Sequence, residues 1–307
     1  MKLVRVGDRG QERAAVLNDD GVALDLSALI GDVGGDVGPE FFARGGLAEL
    51  TAALADPAAR AALPAVDGRI GAPVARPGKV VCIGLNYSDH AAETGAAIPE
   101  RPVVFMKDPS TVTGPYDDVR IPRGSERTDW EVELGVVIGA TARYLGSPEE
   151  ALACVAGYAV SHDVSERAFQ LDLSPQWDLG KSCETFNPLG PWLVTADEVP
   201  DPQMLGLRLA VNGRKRQDGS TGTMIFGVAY LIWYLSQYMV LEPGDLINTG
   251  TPAGVALGLP DHPYLRAGDE VRLEIDGLGW AQQRFIPAPL TPGARQAGRW
   301  PIDEREV

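Results

Sequence analysis

The sequence contains few histidines, few cysteines and few basic residues, and each shortage excludes a class of function. Among 307 residues there are three His, three Cys and 27 Lys or Arg against 42 Asp or Glu, so the net charge is −15. A basic surface is needed to neutralise phosphates, so neither nucleic acid nor an anionic membrane is an expected partner. Three histidines exclude a histidine-rich metal site. The isolated cysteines, Cys82, Cys154 and Cys183, have no metal-ligand spacing and predict reduced thiols in a cytoplasmic protein.

The sequence also lacks a leader-like start and the common catalytic motifs. Lys2, Arg5 and Arg9 lie in a beginning without an apolar run, so we expect no signal peptide. "GKS" at 180–182 is not a phosphate-binding loop, because the glycine required at 175 is Pro175. G-x-G-x-x-G, G-x-S-x-G and H-E-x-x-H do not occur. Nucleotide binding, serine hydrolysis and zinc proteolysis therefore lose their usual sequence support.

Residues 219–241 carry no charge, and the run is long enough to test as a membrane span. Tyrosines and a glutamine interrupt its apolar character. Thr221 or Thr223 could cap the start of a helix, and "EPGD" at 242–245 would end it. We predict a buried helix of a globular protein over 221–241, with a helical apolar face made of Ile225, Val228, Ala229, Ile232, Leu235 and Met239.

The order of the remaining patterns predicts a mainly β (α+β) protein with a small N-terminal domain. Short β-type runs separated by turn residues follow one another from residue 79 onward, and a further helix is predicted around "SPEEALACVA" at 147–156. Many short strands with few helices favour a sandwich or roll. We predict a small N-terminal domain over 1–75, a catalytic domain over 76–290 and a C-terminal tail over 291–307.

Two glutamates separated by one residue, Glu131 and Glu133, stand at the start of the strand-like run "EVELGVVIG". Alternate strand residues share a face, so both carboxylates point to the same side. An isolated E-x-E is more often a solvated strand face. If buried, the two charges would repel each other, and a divalent cation would remove that repulsion.

Other charged residues can be combined with this pair. Asp163 ends the strand-like run 157–162, although it could equally cap the next helix, whereas neighbouring His162 should face the other way and be structural. His90 and Glu93 are three apart and could hydrogen-bond on one helical turn, although an isolated His90 is more often a surface residue. Three carboxylates suit a hard ion, Mg²⁺ or else Mn²⁺ or Ca²⁺, with places left for a 2-oxo acid. Cations whose ordinary role would be at the surface could balance the substrate's charge: Lys107, Arg167 and Lys181.

Six strings in order resemble the fumarylacetoacetate hydrolase superfamily, and together they cover roughly residues 78–280. They are "KVVCIGLNYSDHAAETG", "PVVFMKDPSTVTGP", "TDWEVELGVVIG", "AGYAVSHDVSERAFQ", "QWDLGKSCETFNPLGPWLVT" and "GDLINTGTPAGV". The resemblance implies a mixed β-sandwich roll, usually assembled as a homodimer. Within this superfamily, parts of these strings are more specifically similar to hydrolases of 2,4-diketo-3-deoxy sugar acids. The sequence departs from the usual pattern of those hydrolases at Glu184 and in the loop at 255–269. These two differences leave the exact substrate open.

The resemblance also assigns roles to individual residues. It implies metal ligands at Glu131, Glu133 and Asp163, and an acid–base pair at His90 and Glu93 assisted by Lys181. Substrate-facing positions are implied at Lys107, Arg167, Gln170 and Thr251. The expected reaction is Mg²⁺-dependent hydrolysis of the C3–C4 bond of a 2,4-diketo acid, either an acylpyruvate or a diketo-deoxy sugar acid, to pyruvate and a carboxylic acid. A decarboxylase, a hydratase, an isomerase or a non-catalytic keto-acid binder are the alternatives.

Overall fold

The computed structural model describes residues 1–173 and 175–289, which contain two large β-sheets and short helices. The predicted C-terminal tail, 291–307, lies outside the described residues. The strands are β1 Lys2–Val6, β2 Arg13–Leu17, β3 Ala23–Asp25, β4 Val80–Gly84, β5 Val103–Lys107, β6 Val112–Thr113, β7 Val119–Ile121, β8 Thr128–Asp129, β9 Val132–Ile138, β10 Val155–His162, β11 Ser165–Glu166, β12 Asn187–Pro188, β13 Leu193–Thr195, β14 Gly206–Val211, β15 Arg214–Ser220, β16 Leu246–Asn248, β17 Glu270–Ile275 and β18 Gly279–Pro287.

The helices are short. The α-helices are α1 Ser27–Ile30, α2 Pro39–Ala43, α3 Gly46–Leu54, α4 Pro57–Ala61, α5 Ser88–Thr94, α6 Arg167–Leu171, α7 Asp178–Lys181 and α8 Val228–Ser236. Single 3₁₀ segments cover Gly31–Val33, Pro109–Thr111, Pro148–Cys154, Ala196–Glu198, Thr221–Thr223 and Ala256–Gly258. The helix predicted at 147–156 is therefore a 3₁₀ segment. No helix within the described ranges has the length and apolar character that crossing a membrane requires.

Two sheets packed face to face form the centre of the molecule. The first has nine strands in the order β3-β2-β1-β13-β10-β9-β16-β4-β5, and the second has five in the order β15-β14-β17-β18-β7. Strands β9 and β10 are buried along their whole length, as their nearly continuous apolar sequences require. Leu134 and Val136 of β9 share a core with Leu209 and Leu273 of the second sheet. The mainly β sandwich predicted from the sequence is confirmed.

The nine-stranded sheet continues across the predicted domain boundary at residue 75. Strand β1 pairs antiparallel with β13, with Lys2 opposite Val194. The N-terminal helices cover the other face of this sheet, where Phe41 and Leu50 share a core with Val137. The division of the chain at residue 75 stays a prediction, and the two segments contribute strands to a single sheet.

The limits predicted for the helix over 221–241 are wrong. Helix α8 spans only Val228–Ser236, its N-cap is Gly227, and no threonine caps it. Asn86 explains the late start, because the backbone N–H groups of Ile225 and Phe226 donate to its backbone and side-chain oxygens, at 2.7 and 2.9 Å. These donors are thereby taken from any helical ladder. The buried face of α8 consists of Val228, Leu231, Ile232, Leu235 and Ser236.

Candidate active site

Three carboxylates meet where strands β9 and β10 lie side by side. The ladder places Glu133 opposite Ser161, and the backbone N–H of Asp163 donates to the carbonyl of Glu131 at 3.0 Å. Directly opposed residues of neighbouring strands point to the same face, so Asp163 joins the two glutamates. One oxygen from each of Glu131, Glu133 and Asp163 lies within 4.8 Å of the others, and all three side chains are buried. The solvated-face interpretation of the E-x-E is wrong.

Cations surround two of the three carboxylates. Lys181 Nζ donates to Glu131 Oε2 at 2.7 Å and to Asp163 Oδ2 at 3.0 Å. Lys107 Nζ donates to Asp163 Oδ1 at 2.5 Å, and Arg167 Nη2 donates to Glu131 Oε1 at 2.6 Å. Asp163 therefore does not cap the following helix. Glu166 does so, by accepting from the N–H of Ala168.

Glu133 differs from Glu131 and Asp163, because it accepts a hydrogen bond from a backbone amide, whereas they pair with lysine and arginine side chains. The N–H of Gly250 donates to Glu133 Oε2 at 2.8 Å, and no ion pair to Glu133 is found among the described residues. Burial, followed by repulsion from Asp163 and Glu131, raises its pKa well above the ordinary value. For Glu131, burial acts in the same direction, but Lys181 and Arg167 outweigh it and lower the pKa to about 2.

This donor set fits a hard divalent cation. The ligand atoms are all carboxylate oxygens, which Mg²⁺, Mn²⁺ and Ca²⁺ prefer, and neither histidine nor thiolate is among them. Burial and the two neighbouring carboxylates raise the pKa of Glu133, and no cationic side chain pairs with it among the described residues. A bound divalent ion would supply a positive charge beside it. Glu131, Glu133 and Asp163 are the residues that could hold it.

His90 and Glu93 lie on α5, one helical turn apart, as their spacing predicts. Nδ1 of His90 and Oε2 of Glu93 are 3.5 Å apart, and both oxygens of Glu93 accept from the N–H of Gly254 at 3.0 Å. Burial alone would raise the pKa of Glu93, but His90 and the Gly254 amide outweigh it and lower that pKa. Gly258 packs against Glu93 so closely that a Cβ there would lie 2.4 Å from Oε2. Glu93 is thus held as an anion beside the imidazole.

A cavity of about 260 Å³ brings most of the predicted residues together. The polar side chains of its lining, here called its polar end, are His90, Glu131, Glu133, Arg167, Gln170, Lys181 and Thr251. Glu93 stands behind His90, and Asp163 lies beneath Lys181 with no exposed surface. The arrangement places a histidine, a set of carboxylates and two cations around one space that a small anion can enter.

Three residues predicted to face the substrate have other partners. Lys107 does not line the cavity and instead contacts Asp163 and the carbonyl of Val164. The hydroxyl of Thr251 donates to the carbonyl of Val132 at 2.8 Å. Gln170 uses its Oε1 to accept from Arg167 Nη1 at 2.9 Å. Their roles toward a substrate stay predictions, and the geometry of Lys107 favours support of Asp163.

Sequence analysis missed Asp129, which connects several parts of the site. Its carboxylate accepts from Arg167 Nε at 2.9 Å and from the N–H groups of Ala256 and Leu257 at 2.7 and 3.0 Å. It thereby ties Arg167 to the same loop that packs on Glu93. The alternation in "DWEVE" contains the signal, because Asp129 is two residues before Glu131 and shares its face.

Gln217 was also missed, and no local pattern could have found it. It is fully buried on β15, accepts from the N–H of Val132 at 3.0 Å, and donates to Thr251 Oγ1 at 2.8 Å. It holds the residue before Glu133 and the loop after β16 in place. His162, by contrast, is structural as predicted, with Nδ1 2.8 Å from Gln283 Oε1.

Known proteins resemble this chain over most of its length. The family model for the C-terminal domain of fumarylacetoacetate (FAA) hydrolase matches residues 79–286. A protein of Burkholderia multivorans described as "Putative hydrolase" is 55% identical over 282 residues, which are 91% of this chain and 96% of that protein. The chain belongs to the fumarylacetoacetate hydrolase family, and the resemblance seen in the sequence is confirmed.

Solved structures agree with this assignment. A "putative HpcE protein" from Mycobacterium smegmatis is 40% identical with a TM-score of 0.83, over 94% of this chain and 100% of that chain. Maleylpyruvate hydrolase from Sphingobium sp. SYK-6, solved in complex with manganese (II) ion and pyruvate, is 30% identical with a TM-score of 0.77, over the same shares. A divalent metal thus occurs in a relative. This chain has a cluster of three carboxylates that could hold one.

Proposed function

We propose that this protein is a divalent-metal-dependent hydrolase that cleaves the C3–C4 bond of a 2,4-diketo acid to pyruvate and a carboxylic acid. The observation that carries the proposal is the position of His90, backed by Glu93, in the cavity whose polar end holds the carboxylate cluster. Such a cavity offers a base for water and a place for a 2-oxo acid. The solved complex of the maleylpyruvate hydrolase with pyruvate supports the choice of product.

The metal would be held by Glu131, Glu133 and Asp163, and Mg²⁺, Mn²⁺ and Ca²⁺ all suit these oxygen ligands. When bound, it would offset the charge of the 2-oxo acid and the charge that develops on the keto oxygen during the reaction. Lys181 has three N–H donors, and Glu131 and Asp163 use two of them, so one remains for the substrate. Arg167 adds a second positive charge at the same end of the cavity.

His90 is the base of the proposed reaction. With Nδ1 directed to Glu93, its other ring nitrogen takes a proton from water. The resulting hydroxide adds to the C4 carbonyl. The C3–C4 bond then breaks, its electron pair goes to C3, and C3 gains a proton. One water is consumed, and pyruvate and the carboxylic acid of the acyl group are released.

A substrate panel tests the proposal. Purified protein is given an acylpyruvate, a 2,4-diketo-3-deoxy sugar acid or oxaloacetate, with Mg²⁺, Mn²⁺ or EDTA, and pyruvate release and loss of the diketone's enol absorbance are followed. Metal-dependent pyruvate release from the diketo acids is expected. Turnover of oxaloacetate alone would make the protein a decarboxylase, and rearrangement or hydration without C–C cleavage would make it an isomerase or hydratase.

Two variants separate catalysis from metal binding. His90→Ala should remove turnover and keep the metal affinity measured by titration calorimetry. Glu131→Ala should weaken metal binding, whereas Glu270→Ala, at an exposed position on β17, should not. Wild-type turnover in His90→Ala would exclude the proposed base. Keto-acid binding without turnover in the parent would identify a binder.

The assembly and location of the protein are also proposals. We propose a homodimer, as the family resemblance implies, and size-exclusion chromatography with light scattering would show it as twice the 32.7 kDa mass of the chain. A single-chain mass across the concentration range would exclude it. The cytoplasmic location stays a prediction.

A further inference from the structure

The rest of the cavity lining is apolar. Its wall is lined by Ile83, Gly84, Leu85, Ala96, Phe105, Leu171, Trp177 and Leu257. The rings of Phe105 and Trp177 in this wall contact each other, with centroids 5.5 Å apart and planes inclined at 60°. Lys181 Nζ lies 5.0 Å from the Phe105 ring centroid. The aromatic pair therefore begins directly beside the charged end, where the acyl group of a bound diketo acid would enter it.

The wall is fixed by close packing around Gly84. A Cβ on Gly84 would lie 2.5 Å from Cζ3 and 3.1 Å from Cη2 of Trp177. The indole therefore packs on the backbone of β4, and a larger residue at 84 would displace it. Asp178, which follows Trp177, anchors the segment by accepting from the N–H of Met106 at 3.0 Å. The aromatic wall is thus a built part of the cavity.

The cations of the cavity are paired with its carboxylates, and the donor that Lys181 has left is assigned to the 2-oxo acid. Among the described residues that line the cavity, these cations are Arg167 and Lys181. Arg167 pairs with Asp129 and Glu131, and Lys181 pairs with Glu131 and Asp163. A second carboxylate on the acyl group would therefore meet the apolar side chains of Phe105 and Trp177 without a counter-ion, and moving a charge from water against such a surface is costly.

Hydroxyl groups on the acyl chain would meet the same wall. Among the lining residues that the structure describes, the hydroxyl and amide side chains are those of Thr251, which donates to the carbonyl of Val132, and Gln170, which accepts from Arg167. A buried hydroxyl without a partner is disfavoured, and sites built for hydroxyls supply partners for them. Alkyl and aryl groups, by contrast, gain from leaving water.

We propose that the substrate's acyl group is apolar, an alkyl or aryl chain, and that Phe105 and Trp177 select it against hydroxylated and dicarboxylic chains. The inference rests on the proposed function, and it narrows the two acyl classes left open there to the plain acylpyruvates. The wall binds the group beyond C4, while the polar end binds the 2-oxo acid.

Cleavage of matched substrates tests the selection. The series is 2,4-dioxopentanoate, 2,4-dioxohexanoate and 2,4-dioxoheptanoate, compared with chains of equal length bearing hydroxyls or a terminal carboxylate. Each added methylene should raise kcat/KM roughly fourfold until the wall is filled. Hydroxylated or carboxylated chains should be at least about tenfold poorer than their alkyl counterparts. Equal or better cleavage of those polar chains would overturn the inference and leave the hydrolase intact.

Binding of acids that cannot be cleaved separates the two proposals. 2-Oxobutanoate, 2-oxopentanoate, 2-oxohexanoate and 2-oxoglutarate lack the C4 carbonyl, and their affinities are measured by calorimetry with Mn²⁺ present. Affinity should rise along the alkyl series and be lower for 2-oxoglutarate than for 2-oxopentanoate. This ranking without cleavage of any diketo acid would refute the hydrolase and keep the apolar wall. A flat ranking would refute the wall.

Tryptophan variants locate the effect. Trp177→Ala should flatten the alkyl ranking, with about a tenfold loss for the longest chain and little change for the shortest. Trp280→Ala is the matched control, because Trp280 lies on β18 against Tyr116, outside the cavity. The same ranking in both variants would remove Trp177 from the selection. If Trp177→Ala unfolds, Trp177→Gln and the parent's own ranking provide the test.

Discussion

Glu133→Gln is expected to stabilise the metal-free protein at neutral pH and to remove most of the stability that a bound metal adds. Glu133 is 2% exposed, and Gly250 N–H donates to it at 2.8 Å. Glutamine has nearly the same shape, and its Oε1 can keep that hydrogen bond. The substitution therefore removes a charge from a buried cluster with little change in packing.

In the metal-free protein the variant should gain stability relative to the parent as the pH rises. The pKa of Glu133 is raised in the folded protein, so over a range of pH the folded state keeps a proton that the unfolded chain has released. The stability that protonated Glu133 contributes to the parent is complete below its pKa in the unfolded chain, about 4.3. That stability is lost as the pH rises to the pKa in the folded protein. The loss is about 1.4 kcal/mol per pH unit in that interval.

The variant should gain much less stability from the metal than the parent does. A metal at a hundred times its Kd stabilises the folded state by about 2.7 kcal/mol. Loss of a residue that only contacts a metal ligand lowers metal affinity about 10- to 100-fold. Loss of a ligand itself should therefore lower the affinity by at least about 100-fold. At the same concentration the stabilisation then falls to about 0.4 kcal/mol.

The assay is urea unfolding at pH 5, 6, 7 and 8, with EDTA and with Mn²⁺, for the parent, Glu133→Gln and a control. Glu270→Gln is the control, because it removes the same charge from an exposed position. The reasoning would be refuted by a variant that is destabilised equally at every pH in EDTA, or by one that keeps the full gain from Mn²⁺.

Three further substitutions test the supports of the site. Lys107→Met should lower the free energy of unfolding in EDTA by about 3 kcal/mol, because it removes a buried partner of a carboxylate. Asp129→Asn should lower kcat at least about tenfold, more than it changes KM, because Arg167 loses an ion pair that orients it. Gly258→Ala should lower kcat by a similar factor with little loss of stability, because its Cβ would displace Glu93.

Each of these has its own contradicting result. An unchanged urea midpoint for Lys107→Met would show that its partner carboxylate does not need it. For Asp129→Asn, a loss of stability with parental kcat in the folded fraction would indicate a purely structural residue. Gly31→Ala is the control for Gly258, because a Cβ at 31 has open space around it. Parental kcat in Gly258→Ala would show that the position of Glu93 tolerates displacement.

The local features of this protein could be predicted from its sequence. Alternation in "DWEVELGVVIG" defines a strand and the shared face of Glu131 and Glu133, because side chains on a strand repeat every two residues. The three-residue spacing of His90 and Glu93 defines their contact, because helix neighbours repeat every three to four residues. The many short strands defined the mainly β class. The expectation of a hard divalent ion follows from residue type alone, since carboxylates without histidine or thiolate select hard ions.

Contacts between distant segments were decided only by the tertiary structure. Helix α8 began late because Asn86, more than a hundred residues earlier, accepts its preceding amides. Gln217 supports Thr251 from another sheet, and no pattern near either residue predicts that contact. The apolar wall likewise joins Phe105 of β5 to Trp177 beside α7. Local periodicity fixes which face a side chain occupies, but folding brings distant faces together, and in this protein that packing forms the cavity.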